Sequence, residues 1–155
     1  MTNLLRNSSL LLLTIWLASA CMEHTVYHSY QPIPAKGWDK GDTLVFRVTI
    51  ADSLKTLKLF AEVRNDNKYA YQNLYLVIGS NLQDSTVFET DTLELTLADK
   101  EGKWTGTGWG NLFQSTLAFG TAVTRHSGNY TFKVSQGMKD ERLIGISDIG
   151  IKVMK

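Results

Sequence analysis

The sequence predicts an all-β protein, a two-sheet antiparallel β-sandwich of immunoglobulin-like or jelly-roll topology. Three observations lead there. Apolar and polar residues alternate with the two-residue period of half-buried strands. Turn-forming residues recur at intervals of about 8 to 12 positions. No stretch after residue 20 sustains a long helical period.

The first twenty residues stand apart from that domain. Arg6 supplies one positive charge, Leu10 to Ala18 an apolar stretch, and Ala18-Ser19-Ala20 a small-residue exit, the three parts of a signal peptide. As a helix the apolar stretch rises about 14 Å, roughly half of a hydrocarbon core, so it is an export address and not a permanent span. Signal peptidase I could cut after such an exit and leave a soluble product, and Cys21 decides between the outcomes. It is the chain's single cysteine, so it has no disulfide partner, and it stands immediately after the exit. Leu17-Ala18-Ser19-Ala20-Cys21 resembles the bacterial lipobox, with Ala18 where Leu usually stands. The expected product is lipidated on Cys21, and two or three acyl chains would hold it on a membrane where one binds only marginally.

Residues 21–36 follow, polar and holding Tyr27, Tyr30, Pro32 and Pro34, with neither strand nor helix period; they read as a flexible tether. The sandwich domain occupies residues 37–155. Asp39-Lys40-Gly41-Asp42 signals a turn, after which Leu44, Phe46, Val48 and Ile50 share one strand face, then Leu57, Leu59, Ala61 and Val63 another. Leu74 to Ile78 is apolar on both faces and reads as a central strand. Leu93, Leu95 and Leu97 alternate with Glu94 and Thr96, and Asp99 to Gly102 turns the chain into Trp104, Gly106 and Gly108, the glycines leaving room beside Trp104. Asn111 to Phe119 is open between a loop and one short helix. Tyr130, Phe132 and Val134 form the next strand and Ile149, Ile151 and Val153 the last. Gly128-Asn129-Tyr130-Thr131-Phe132 resembles the tyrosine corner of immunoglobulin-like domains.

Charge and motifs limit the function. Loss of residues 1–20 removes Arg6 alone from sixteen basic residues, leaving fifteen against fifteen acids. A neutral chain argues against nucleic acid and against a polybasic membrane contact. No nucleophile elbow, zinc-protease helix or phosphate loop is present, and Gly106-Thr107-Gly108-Trp109-Gly110 lacks the spacing and following helix that a nucleotide site needs. We therefore expect no catalytic residues, no cofactor and no nucleotide. His24 and His28 stand four apart, a chelating spacing on a helix, but beside prolines they read as solvated, and no metal site is expected. Trp38, Trp104 and Trp109 invite a sugar-stacking reading; Trp104 reads as core and Trp109 as the candidate ligand contact. Thr43, Ser53, Ser85 and Thr92 each follow Asp and precede an apolar residue or Thr, as in the O-glycosylation sites of Bacteroidetes periplasmic proteins, although Asp and Thr are also expected at turns entering strands.

Taken in order, Trp38-Asp39-Lys40, Asn73-Leu74-Tyr75-Leu76, Asp91-Thr92-Leu93, Leu97-Ala98-Asp99, Gly102-Lys103-Trp104 and Gly106-Thr107-Gly108 lead into Ser127 to Phe132 and Gly145-Ile146-Ser147-Asp148-Ile149-Gly150. This series resembles the gliding motility-associated lipoprotein family GldH of Bacteroidetes over nearly the whole mature chain. The resemblance implies a lipid-anchored cell-envelope component tied to gliding and type IX secretion. It implies a non-catalytic interaction or structural subunit whose partners are other envelope proteins, and it transfers Cys21 alone as a site. A carbohydrate-binding envelope module is the alternative. Cys21-Met22-Glu23-His24 has a single acid, where surface-exported lipoproteins of this phylum tend to carry a cluster, so the expected address is the periplasmic face of the outer membrane, with the cell surface as the other possibility.

Expressed with its own signal in a Bacteroidetes host, the wild-type chain should carry a lipid-sized mass increment and partition with membranes, whereas Cys21→Ser should be soluble. A soluble wild type with a free thiol would contradict the lipoprotein reading.

Overall fold

The computed structural model describes residues 24–84 and 86–155; the signal peptide, Cys21 and Ser85 lie outside the described residues. The strands are β1 (Thr25–Pro32), β2 (Trp38–Asp39), β3 (Leu44–Ile50), β4 (Thr56–Asp66), β5 (Asn73–Asp84) and β6 (Val87–Thr96). They continue with β7 (Thr107–Trp109), β8 (Leu112–Val123), β9 (Gly128–Gln136), β10 (Arg142–Leu143) and β11 (Ile146–Met154). One sheet has the order β1-β11-β4-β8-β7, the facing sheet β3-β9-β5-β6, and β10-β2 forms a small ribbon.

The pairing is nested. β1 pairs with β11, β3 with β9, β4 with β8 and β5 with β6, all antiparallel. The first and third of these pairs share one sheet and the other two share the second, so one long four-layered hairpin is rolled into a sandwich. That is a jelly roll, and the immunoglobulin-like alternative is set aside. The tyrosine-corner bond is nevertheless formed, because the Tyr130 hydroxyl donates to the His126 carbonyl at 2.6 Å. It is a local device at the entry to a strand, and it occurs without the topology it suggested.

Between the sheets sits one apolar core. The alternating residues of β3, β4, β9 and β11 supply it as their period requires, with Val48, Ala61, Val63, Phe132, Val134, Ile149, Ile151 and Val153 inaccessible to solvent. At one end the β2–β10 ribbon closes the roll with the fully buried indole of Trp38, whose Nε1 donates to the Asp42 carbonyl at 3.2 Å. Arg142 pairs with Asp39 across that ribbon and holds its carboxyl below the usual carboxylate range, so the charged tip over residues 139–142 is pinned to the body. Along β4, from Thr56 beside Val123 to Asp66 beside Leu112, the roll spans about 33 Å at ~3.3 Å per residue. His24 and Lys155 lie at the first of these ends, Trp109 at the other.

Several expectations are corrected. Residues 25–32 of the expected tether are β1, an edge strand; its one proline, Pro32, is the last residue, where a missing N–H breaks no interior ladder. Of residues 111–119, Asn111 lies in a hairpin turn and residues 112–119 are the first part of β8, not a helix. Leu117 and Phe119 pack against the core, and a bulge opposite Leu59 and Phe60 masks their alternation with the residues beyond. Gly106 and Gly108 do not make room for Trp104: a Cβ at either would stand 2.6 Å from the Gln114 carbonyl oxygen or 2.5 Å from that of Leu112, so they admit the β8 backbone. Trp104 is half-buried at the core's margin, and its Nε1 donates to Asn67 Oδ1 at 2.9 Å.

Phe132→Ala, in β9 beside Phe46 of β3 and Ser80 of β5 and inaccessible to solvent, should lower the unfolding free energy by about 3–5 kcal/mol in urea titration. A loss below about 1 kcal/mol would contradict this packing.

Candidate functional site

The outer face of the five-stranded sheet carries a polar cluster on β1 and β4. Alternation along β4 turns Lys58, Phe60, Glu62 and Arg64 outward, yet Glu62 is only 3% exposed. Its cover comes from β1. Gly150 lies between Tyr30 and Glu62 in register, and a Cβ there would meet the Tyr30 ring at 2.7 Å, so the glycine lets that ring lie flat across β11. The Tyr30 hydroxyl then donates to Glu62 Oε2, and His28 Nε2 sits 2.7 Å from the same oxygen. The Arg64 guanidinium stacks over the Tyr30 ring at 3.7 Å from its centroid, and its Nε donates to Gln114 Oε1 at 3.0 Å. Burial first, and then the Glu62 carboxylate, push the Tyr30 phenol up to about 12, with Arg64 opposing.

This cluster is a cross-link. The carboxylate accepts from two side chains of β1, and Arg64 is held between a ring and an amide, so the edge strand is fastened to the third strand over the second. His24 does not join it. On a strand, residues four apart lie about 13 Å from one another, and among the described residues no group of three His, Cys, Asp or Glu gathers to hold a metal.

From Gln114 and Arg64 the face runs on to an open depression of about 450 Å³, which Thr107, Gly108, Trp109 and Leu112 complete. Trp109 is 96% exposed and Leu112 41%. The two are a register pair joined by Gly110-Asn111, with Gly110 at φ +64° and Asn111 at negative φ, the pattern of a two-residue type II′ hairpin turn. With Gly106 and Gly108 against the β8 backbone, the hairpin is tightly seated and projects the indole from the body. Behind it, Phe113, Trp104, Tyr69 and Tyr71 follow one another at centroid spacings of 5.8, 6.5 and 5.8 Å. The Tyr71 hydroxyl donates to Asp140 Oδ2 at 2.6 Å, and burial pushes the Tyr69 phenol far up. The aromatic end is thus a supported surface with one indole fully outside it.

Thr43, Ser53 and Thr92 are all exposed, the first two beside β3 and the third within β6 and not at its start. Thr43, next to Asp42, lies at the Trp38 end of the roll, whereas Ser53 lies at the His24 end. Sequence reasoning missed His28, Tyr30, Glu62 and Arg64 as a group. Period alone marks Glu62 and Arg64 as solvated, and only the recognition of β1 as a strand would have placed Tyr30 and His28 on the same face.

Tyr30→Phe leaves the buried Glu62 one donor short and should cost about 1–3 kcal/mol at neutral pH in urea titration. A phenol whose folded-state value lies above its ordinary 10 stabilises the fold fully below pH 10 and loses that contribution as pH rises toward 12. Wild-type stability should therefore decline between pH 10 and 12 more steeply than that of Tyr30→Phe; parallel declines would contradict the assignment.

The model of the GldH lipoprotein family matches residues 25–153. A protein named gliding motility lipoprotein GldH homolog, from Christiangramia forsetii, is 33% identical over 150 residues, covering 92% of this chain and 91% of its own. One named gliding motility lipoprotein GldH, from Flavobacterium johnsoniae, is 28% identical over 156 residues, covering 96% of each. Among solved structures, dimeric latent PorU from Porphyromonas gingivalis matches 89% of this chain with 14% of its own, at 8% identity and a TM-score of 0.37, a distance at which nothing further carries over. With the family match spanning the whole sandwich from β1 to β11, this chain belongs to the GldH lipoprotein family.

Proposed function

We propose that this chain is a gliding-associated lipoprotein of the cell envelope, acylated on Cys21, that serves as a non-catalytic interaction subunit and docks partner envelope proteins through its Trp109 end. Its relatives' names and the lipobox-like start support the anchor. The single acid after Cys21 favours the periplasmic face of the outer membrane. The observation that carries the docking reading is the near-complete exposure of Trp109 beside Leu112, on a tight hairpin at the end opposite His24. Exposed tryptophans at the centre of a supported patch are the residues that supply most binding energy at protein interfaces, and a contiguous exposed apolar patch marks an interaction site. A domain held at one end presents its other end to partners.

The depression beside Trp109 favours one second reading. Arg64, Gln114 and Thr107 set polar groups next to an open indole, the composition of a saccharide subsite.

Crosslinking of the membrane fraction separates the two. Trp109→Ala should abolish the crosslinked partner while changing stability by no more than about 0.5 kcal/mol. A saturable change of tryptophan fluorescence with glycans, lost in Trp109→Ala, would favour the saccharide reading. Unchanged crosslinks together with no glycan response would contradict both.

A further inference from the structure

We infer that the His24 end of the sandwich rests against the anionic phospholipid headgroups of the membrane that holds the lipid, with Leu54 entering that layer. This rests on the acylation of Cys21 proposed above.

The chain's geometry leads there first. Only Met22 and Glu23 separate Cys21 from His24, and three residue steps reach at most about 11 Å. His24 is fixed to the domain, because its N–H donates to the Lys155 carbonyl at 3.1 Å and the Lys155 N–H returns a bond to its carbonyl at 2.9 Å. A headgroup layer is itself roughly 5–8 Å thick. An acylated Cys21 therefore brings this end of the roll into contact with the lipid surface and leaves no gap for an intervening domain.

The same end has the chemistry for that contact. The β3–β4 turn lies beside the chain terminus, with Lys155 Nζ 2.5 Å from Asp52 Oδ2. At its tip Leu54 is 73% exposed with φ +57°, a left-handed conformation that non-glycine residues other than Asn and Asp rarely adopt. A bond from the Leu54 N–H to the Thr124 carbonyl, 2.8 Å, holds it there and ties the tip to the β8–β9 connection. Val123, just before that connection, is 47% exposed. The apolar tips have basic neighbours. Lys55 follows Leu54, Arg125 and His126 follow Thr124, and the acid of the turn, Asp52, is already paired with Lys155. Two depressions open here, about 360 Å³ with Lys55 and Lys155 in its wall and about 450 Å³ with Arg125 and His126. An exposed aliphatic tip flanked by Lys55 and Arg125 suits an interface of acyl chains beneath anionic phosphates.

Because Cys21 is the chain's single cysteine, its acylation leaves an introduced thiol as the one labelling position. The full acylated chain carrying Leu54→Cys, labelled with a polarity-sensitive thiol dye, is placed in phosphatidylglycerol–phosphatidylethanolamine vesicles and quenched with acrylamide. Trp109→Cys is the control. Quenching at position 54 should fall several-fold on vesicles relative to detergent, with no change at position 109. Lys55→Glu combined with Arg125→Glu should restore it. Equal quenching at both positions on vesicles would overturn the inference, as would protection that arises only in native membranes with their proteins. Intact mass of the same sample reports the lipid separately: its absence would overturn the anchor and this surface together, whereas lipid present with position 54 open would overturn this surface alone.

Discussion

The pairing of the first strand with the last governs the rest of this molecule. β1 against β11 is the outermost layer of the nested hairpin, and it places His24 beside Lys155 at one end of the roll. It also lays Tyr30 across Gly150 onto Glu62, so that a carboxylate on an outward-facing position becomes buried and bonded. Without that strand the outer face of β11 and β4 would expose Glu62 to water, and the chain between Cys21 and the domain would be a long leash. With it, the leash is three residue steps. Edge pairing thus links the stability of one sheet face to the distance between the domain and the proposed acylation site at Cys21.

The same closure gives the molecule two different ends. The His24 end has flexible-looking chemistry on fixed backbone, a leucine in a left-handed turn bonded to its neighbour and flanked by lysine and arginine. The opposite end is aromatic, closed by Trp38 within and marked by Trp109 without. Strands about 33 Å long run between them, and the Glu62 cross-link fastens the sheet along the way. Most of the segments that carry the family resemblance, including Trp38 to Lys40, Asn73 to Leu76, Leu97 to Gly108 and Gly145 to Gly150, meet at the aromatic end.

Much of the fold was legible because three strands keep a two-residue period: Leu44 to Ile50 in β3, Leu57 to Val63 in β4 and Ile149 to Val153 in β11 are all buried on alternate positions or nearly so. The edge strand β1 was not, because Thr25 to Pro32 is polar with aromatic insertions and none of its residues is fully buried. In β8 the bulge near Phe119 breaks the period, and small residues such as Ser115 and Ala118 give weak contrast. Sheet order lay beyond local pattern altogether: a tyrosine corner formed as read and still belonged to a jelly roll, since a bond spanning four residues says nothing about pairings more than a hundred residues apart, such as β1 with β11. Of the candidate site, Trp109 stands out in the sequence as the candidate ligand contact, whereas Glu62 needed its β1 cover to be seen.

In the proposed orientation the domain stands on its His24 end and presents Trp109 away from the membrane. Neutron reflectometry of the acylated chain on a supported bilayer measures this directly, because layer thickness depends on which axis is upright. A protein layer about 35–40 Å deep, the length of the longest strands with their turns, in contact with the headgroups is the predicted result. A layer of about 20–25 Å, two stacked sheets lying flat, or a solvent gap between headgroups and protein would contradict it.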